Sequence, residues 1–357
     1  MVTLRVLSVV GARPQFVKLA PIARELDRRN IEHIVIHTGQ HYDAAMSEDL
    51  FTDFALKDPG YNLGAGSGSH AAQTAEILAG IEPLLVETGP DWVVVYGDTN
   101  STLGATLAAA KLGVPVAHLE AGLRSFNRSM PEEINRVVTD HAADLLLAPT
   151  SVALRNLENE GLSDRTVLVG DVMADICLSV AAQNNLRTAI ELALPDGDFI
   201  LATLHRPYNT DDDRRLRGLL GVLDQSPIPV VLPVHPRLRE RVREAGLTIG
   251  GGSLMPIAPL PYSDLIHTAQ RSRAIITDSG GLQKEAYLLG VPCVTVRSET
   301  EWTETLEGDW NQLCFTDLDA IISTALRPIP TADREAVFGT GDAARRVVDT
   351  LCAQFQR

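Results

Sequence analysis

Apolar, β-branched runs of five to seven residues recur along the chain, separated by longer stretches whose apolar positions return with helical spacing. Strand-length runs alternating with helix-length patterns predict βαβ units. In the first half the runs are "LRVLSVVG", "EHIVIHTG", "DWVVVYGD", "VPVAHLE", "DLLLAPT" and "TVLVGD". The rhythm restarts after "LALPDGD" with "FILATLHRP", "IPVVLPVHP", "SLMPIAPL", "RAIITDSG" and "PCVTVRSE". These runs are apolar almost throughout rather than at every second position, as expected for strands covered by helices on both faces of a parallel sheet. The chain is therefore expected to be α/β, with two doubly wound parallel-sheet domains. Open parallel sheets take ligands beyond the carboxyl ends of their strands, so the polar residues after each run, and the cleft between the domains, are where chemistry is expected.

Composition narrows the classes. A chain of 357 residues and 38.6 kDa suits about two domains of roughly 150 residues each. Hydrophobic residues make up 45% and charged ones 22%, and no stretch approaches the roughly 18 consecutive apolar residues of a membrane span. A soluble globular protein that binds no membrane is expected. The first run lacks a basic start or a small-residue cleavage site, so no signal peptide is expected. Cys177, Cys293, Cys314 and Cys352 are scattered without a CxxC pair, which argues against zinc or a disulfide framework and for a reducing cytoplasm. The net charge of -15 argues against nucleic-acid binding. A small anion can still be held locally, because close donors outweigh a field screened over roughly 10 Å. "GAGSGS", Gly64 to Ser69, reads as a mobile lid or plain connection, and "GGG", Gly250 to Gly252, as a turn.

The strand exits carry the candidates. "VVGARPQFVKLAPI" puts Gly11 and Arg13 at the first exit and Lys18 about one and a half turns into the next helix. This is not GxGxxG, so a dinucleotide fingerprint is absent. A helix N-terminus with two cations suits a phosphate or a developing anion; two surface cations are the plain alternative. In "YGDTNSTLGA", Asp98 is either a helix cap or an acid at a strand exit. Glu120 in "HLEAGLRS" is harder to explain as scaffold, since a carboxylate after an apolar strand is costly to bury without a partner or a role. Glu132 and Glu133 follow Pro131 in a helix's first turn, where the dipole accounts for one of them. Asp98, Glu120 and one of these glutamates are expected to form a carboxylate cluster facing the cleft.

In the second half, "TLHRPYN" offers His205 and Arg206 as anion contacts. "PVHPR" offers His235 and Arg237, with a hydrogen-bonded loop histidine as the alternative for His235. "ITDSGGLQKEAYLLGVP" is the sharpest local signal: Ser279, Gly280 and Gly281 open a helix whose N–H groups can approach a phosphate, Glu285 faces a ribose from its second turn, and Gly290 closes it.

Taken in series, "GARPQFVKLAPI", "HTGQHYD", "GDTNSTL", "HLEAGLRS", "PEEINR", "TLHRP", "PVHPR", "DSGGLQKEA" and "ETEW" resemble the non-hydrolysing UDP-N-acetylglucosamine 2-epimerases, in that family's order and over nearly the whole chain. The resemblance implies two Rossmann-like domains facing across a GT-B-like cleft. One spans residues 1–172 and is completed by a C-terminal helix over 340–357; the other, over 173–339, binds UDP. Residues and resemblance together give Asp98, Glu120, Glu132, His205 and Lys18 as expected catalytic groups. The expected UDP-sugar contacts are Arg13, Lys18, His205, Arg206, His235, Ser279, Gly280, Gly281 and Glu285. No metal and no cofactor are expected, and a homodimer is.

The implied reaction is reversible C2 epimerisation of UDP-N-acetylglucosamine to UDP-N-acetylmannosamine. Elimination of UDP gives 2-acetamidoglucal, and re-addition delivers the proton to the other face. Two faces of C2 call for protonic groups on both sides, which a carboxylate cluster supplies. Cations and helix N-termini stabilise the departing UDP, and domain closure excludes water. The alternatives are a hydrolysing relative releasing N-acetylmannosamine and UDP, a UDP-sugar glycosyltransferase of GT-B type, and a binding module without turnover. The chain departs from the family where Tyr208 precedes Asn209 in place of a glutamate. It also has Asp43 for a second glutamine and lacks an arginine before Gln73. The last two positions help form an activating substrate site in some bacterial members, so that allostery is not expected here.

Overall fold

A computed structural model of the chain describes residues 4–40, 59–66, 68–183 and 194–355, with Arg13 described in its backbone only. His41, Tyr42 and Asp43 of the sequence motif lie outside the described residues. The chain divides into two compact units, Met1–Ile176 with Ala336–Arg357, and Cys177–Glu335.

Among the described residues the first unit holds a seven-stranded parallel sheet. Its strands are β1 (Arg5–Val10), β2 (Glu32–His37), β3 (Tyr61–Asn62), β4 (Trp92–Tyr96), β5 (Val116–Leu119), β6 (Leu145–Ala148) and β7 (Thr166–Leu168), in the order β3-β2-β1-β4-β5-β6-β7. The crossovers are α1 (Arg13–Arg28), α2 (His70–Thr88), α3 (Asn100–Leu112), α4 (Pro131–Ala142) and α5 (Ser151–Asn159), and α6 (Val172–Ala181) leads out of the sheet. Val93, Val94, Val95, Leu146 and Leu147 are fully buried on both sheet faces, each such side chain contributing roughly 1.5–3 kcal/mol relative to exposure. Uninterrupted apolar runs become central parallel strands for this reason.

The second unit holds a six-stranded parallel sheet in the order β10-β9-β8-β11-β12-β13. Its elements are β8 (Ile200–Thr203), α7 (Pro207–Thr210), α8 (Asp213–Asp224), β9 (Val230–Pro233), α9 (Pro236–Glu244), β10 (Leu254–Ile257), α10 (Tyr262–Arg271), β11 (Ala274–Thr277), α11 (Gly280–Leu289), β12 (Cys293–Thr295), β13 (Asn311–Leu313) and α12 (Ala320–Ala325). The last helix, α13 (Ala343–Phe355), belongs to the first unit and packs on α1. Asp175 accepts from the Ala343 and Ala344 N–H groups at 3.0 and 2.8 Å, which caps α13.

Both sheets have the doubly wound order, with direction reversing between β1 and β4 and between β8 and β11. Those reversal points are where such sheets open to ligands. The edge strands β3 and β13 are absent from the sequence pattern. "YN" and "NQL" carry little apolar signal, and their strand character comes from pairing with a neighbour already in place.

Candidate active site

At the first unit's reversal point, Gln15 joins the two central strand exits. Its Oε1 accepts from the Gly11 and Ala12 N–H groups at 2.8 and 3.0 Å, and its Nε2 donates to the Tyr96 carbonyl at 2.7 Å. One turn further along α1, Lys18 reaches the β5 exit and pairs with Glu120. The pair is well shielded, with side-chain exposures of 13% and 5%. Gly97, at φ 63°, is needed beside it: a Cβ there would stand 3.1 Å from Lys18 Nζ and 3.5 Å from Glu120 Oε2. The Glu120 carboxylate therefore lies against the residue preceding Asp98.

Asp98 is not the cap of α3. That role falls to Thr99, whose hydroxyl accepts from the Thr102 N–H at 3.3 Å. Asp98 instead accepts from Arg136 Nε and Nη2 at 3.0 and 2.8 Å, while its carbonyl accepts from Asn135 at 2.9 Å. Both partners stand on α4, which organises this side of the site. The spacing of Glu133, Arg136 and Asp140 places them on one stripe of the helix. Glu133 accepts from the Ser125 and Phe126 N–H groups at 3.0 and 2.9 Å and from Arg136 at 2.5 Å, which pins the loop before the helix. Glu132, half-buried at the same helix N-terminus, makes no side-chain hydrogen bond or ion pair among the described residues. Of the two adjacent glutamates, Glu133 is scaffold and Glu132 is the one available to a ligand.

In the second unit, Thr203 and Thr277 join β8 to β11 through hydroxyls 2.6 Å apart. Past them lies Asp278, fully buried. It accepts from the His205 and Arg206 N–H groups, each at 3.0 Å, from Asn209 Nδ2 at 3.1 Å and from His205 Nδ1 at 3.1 Å. One carboxylate thus fixes the loop of His205 and Arg206 beside the next turn. Ser279 caps α11 through the Leu282 N–H at 3.4 Å. Gly280 and Gly281 have no left-handed φ, so they supply small size rather than backbone freedom. A Cβ at Gly280 would come within 2.7 Å of Glu301 Oε1, and one at Gly281 meets nothing closer than 3.9 Å. Glu285 is buried and accepts from the Tyr262 hydroxyl at 2.9 Å. Nε of Arg206 is buried and makes no hydrogen bond among the described residues, leaving a donor for an anion. His235 caps α9 by accepting from the Arg237 N–H at 3.2 Å, its ring centroid 5.5 Å from that of His205. Tyr208 sets its ring edge-on to Phe315 at 5.8 Å, and burial pushes its phenol up to about 12, so it offers a neutral hydroxyl.

Three acids that sequence reading did not single out as anchors, Glu133, Asp140 and Asp278, share an electrostatic signature. Burial pushes each carboxyl up. Its donors outweigh this: Ser125 and Arg136 for Glu133, His118 and Arg124 for Asp140, His205 and the Arg206 N–H for Asp278. All three end below their ordinary values. A carboxyl depressed in the fold stabilises it fully above the unfolded pKa of about 4, and that contribution disappears as pH falls through the folded value. The urea midpoint is expected to be steady between about pH 7 and 5 and to drop below about pH 4. A midpoint unchanged at lower pH would refute these anchors.

Among the described residues no cluster of His, Cys, Asp or Glu is arranged to hold a metal ion, and no helix is long and apolar enough to cross a membrane.

The chain matches the family model for UDP-N-acetylglucosamine 2-epimerase over residues 24–352. It is 43% identical over 355 residues to a UDP-N-acetylglucosamine 2-epimerase homolog of Methanococcus maripaludis, covering 98% of this chain and 99% of that protein. It is also 43% identical over 357 residues to the UDP-2,3-diacetamido-2,3-dideoxy-D-glucuronate 2-epimerase of Pseudomonas aeruginosa, with 98% and 99% covered. Among solved structures, the Methanocaldococcus jannaschii UDP-GlcNAc 2-epimerase in complex with UDP-GlcNAc and UDP matches with a TM-score of 0.88 at 37% identity, covering 98% of this chain and 100% of that one.

Proposed function

Because the chain belongs to the UDP-N-acetylglucosamine 2-epimerase family, we propose that it epimerises UDP-N-acetylglucosamine at C2 reversibly, without hydrolysis, to UDP-N-acetylmannosamine. A base takes the C2 proton, the C2–H electron pair becomes the C1–C2 double bond, and the C1–O bond breaks with its pair leaving on UDP. The products are 2-acetamidoglucal and UDP. Re-addition of UDP at C1, with a proton delivered to the opposite face of C2, completes the cycle. Every step moves a proton and an electron pair, so the scheme draws on no metal or nicotinamide.

The observation that supports this reading is the acid grouping of the first unit. Glu120 lies against Gly97 beside Asp98, Asp98 is tied through Arg136 to α4, and α4 carries Glu132 in its first turn. Acids from three chain segments can serve two faces of one carbon, and Lys18 adds a cation to the group. The second unit is assigned the UDP, held by the Ser279–Gly281 turn at the α11 N-terminus and by His205, Arg206 and Glu285. Arg13, His235 and Lys18 complete the assigned contacts. The proposal extends to a homodimer in a reducing cytoplasm, neither of which the chemistry itself requires.

The sugar has a second candidate, the 2,3-diacetamido glucuronate named for the Pseudomonas aeruginosa relative, since it too reacts at an acetamido-bearing C2. Incubation with each UDP-sugar in D2O, followed by NMR, separates the outcomes. Deuterium at C2 together with the C2 epimer, still UDP-linked, is expected. Free N-acetylmannosamine would favour the hydrolysing reading, and turnover only with an added acceptor a glycosyltransferase. Neither deuterium nor epimer from any UDP-sugar would end the proposal.

A further inference from the structure

The strand exit that carries Glu120 has a backbone shape that needs support. Glu120 has a φ of 67° and Gly122 a φ of 83°. Left-handed backbone at a non-glycine residue is strained and persists only where its surroundings fix it. One side of the turn is closed by α5, since a Cβ at Gly122 would come within 2.3 Å of the Ala153 carbonyl oxygen.

Asp140, near the end of α4, supplies the remaining contacts. Its Oδ2 accepts from the Gly122 N–H at 3.0 Å and from Arg124 Nη1 at 2.7 Å, and its Oδ1 accepts from His118 Nδ1 at 2.6 Å. His118 Nε2 donates in turn to the Gly97 carbonyl at 2.8 Å. The Asp140 and His118 side chains have 0% exposure and that of Arg124 has 1%. Hydrogen bonds away from water are strong, and the groups they hold are stiff. These contacts surround Glu120 without addressing its carboxylate: His118 lies two residues before it, Gly122 two after it, and Gly97 on the neighbouring strand exit.

The geometry points to Asp140 as a positioning residue for Glu120. Working through His118 and the Gly122 N–H, it locks the Gly97–Asp98 and Glu120–Gly122 exits to each other and to α4. The Glu120 carboxylate is thereby delivered to Lys18 and to the reacting carbon from a rigid base. The assignment rests on the function proposed above for the identity of the reaction. Asp140 itself touches no reacting atom.

A double-mutant cycle in the full-length chain tests it, using wild type, Asp140→Ala, Glu120→Gln and the double variant, with kcat, KM for UDP-N-acetylglucosamine and UDP affinity measured for each. A displacement of about 1 Å at a reacting group is enough to cost on the order of 100-fold, so Asp140→Ala is expected to lower kcat by about that factor. UDP affinity, assigned to the other unit, is expected to change less than about twofold, and Asp140→Ala in the Glu120→Gln background to cost less than about threefold in kcat. An aspartate that only supports the fold would cost the same factor in both backgrounds. That result, or a folded Asp140→Ala with wild-type kcat, overturns the assignment. If Asp140→Ala does not fold, Asp140→Asn, which keeps the shape and one acceptor oxygen, is read in the same cycle with the same two outcomes. A wild-type chain inert toward every UDP-sugar counts against the proposed function instead. Crystal structures of wild type and Asp140→Asn then decide the positioning: a Glu120–Gly122 turn moved away from Lys18 supports it, and an unmoved turn overturns it.

Discussion

Glu120→Gln is expected to lower kcat for C2 exchange and epimerisation by about 100-fold or more, while UDP affinity stays within about twofold. Glutamine matches the shape of glutamate and keeps an acceptor for Lys18, so the left-handed turn at position 120 has the same packing to satisfy. What disappears is the negative charge and the ability to accept a proton. The loss should therefore fall on kcat rather than on nucleotide binding, which is assigned to the other unit. Turnover by NMR and calorimetric titration of UDP measure the two separately. A variant with wild-type kcat would reduce Glu120 to a buried ion-pair partner of Lys18.

Asp278→Ala is expected to act on both stability and nucleotide binding. The carboxylate has no exposure and receives the His205 and Arg206 N–H groups, Asn209 Nδ2 and His205 Nδ1. Removing it leaves these donors without their acceptor, which costs about 1–3 kcal/mol for each that stays buried. The same change frees the loop that aims His205 and Arg206, so UDP affinity is expected to fall at least about tenfold, the equivalent of losing one charge-assisted hydrogen bond. Urea unfolding and calorimetry check the two effects. A stability loss below about 1 kcal/mol would show that the loop holds itself in place without Asp278.

The strand exits were the part of the site open to sequence reading. Lys18, Asp98, Glu120, His205 and Ser279 each follow an apolar run or the first turns of the helix after it. In a parallel sheet that address is enough to bring Lys18, Asp98 and Glu120 to one edge of the first unit's sheet and His205 and Ser279 to one edge of the second's. Asp278 has the same address as Asp98 and carries the same signal, beside the stronger one of the glycines that follow it. Asp140 offered less. Its one clue is that Glu133, Arg136 and Asp140 fall on a single helical stripe, a line of charge that in isolation reads as a solvated face. Burial of that stripe depends on α3 and β5 packing against it, which no local pattern encodes.

The sequence by itself determined the fold class and the order of units, because periodicity and uninterrupted apolar runs are local properties that leave a parallel α/β chain few ways to bury its surface. It also determined which residues stand at the ends of strands. The tertiary structure alone decided which acids are anchors and which are available to a ligand: Glu133 pinned against Ser125 beside the uncommitted Glu132, Thr99 rather than Asp98 as the cap, and Asp140 and Asp278 as buried supports. Those distinctions depend on which donors converge on each carboxylate, from eight residues away for Glu133 and Ser125 to 73 for Asp278 and His205, and folding rather than the spacing of either partner selects them.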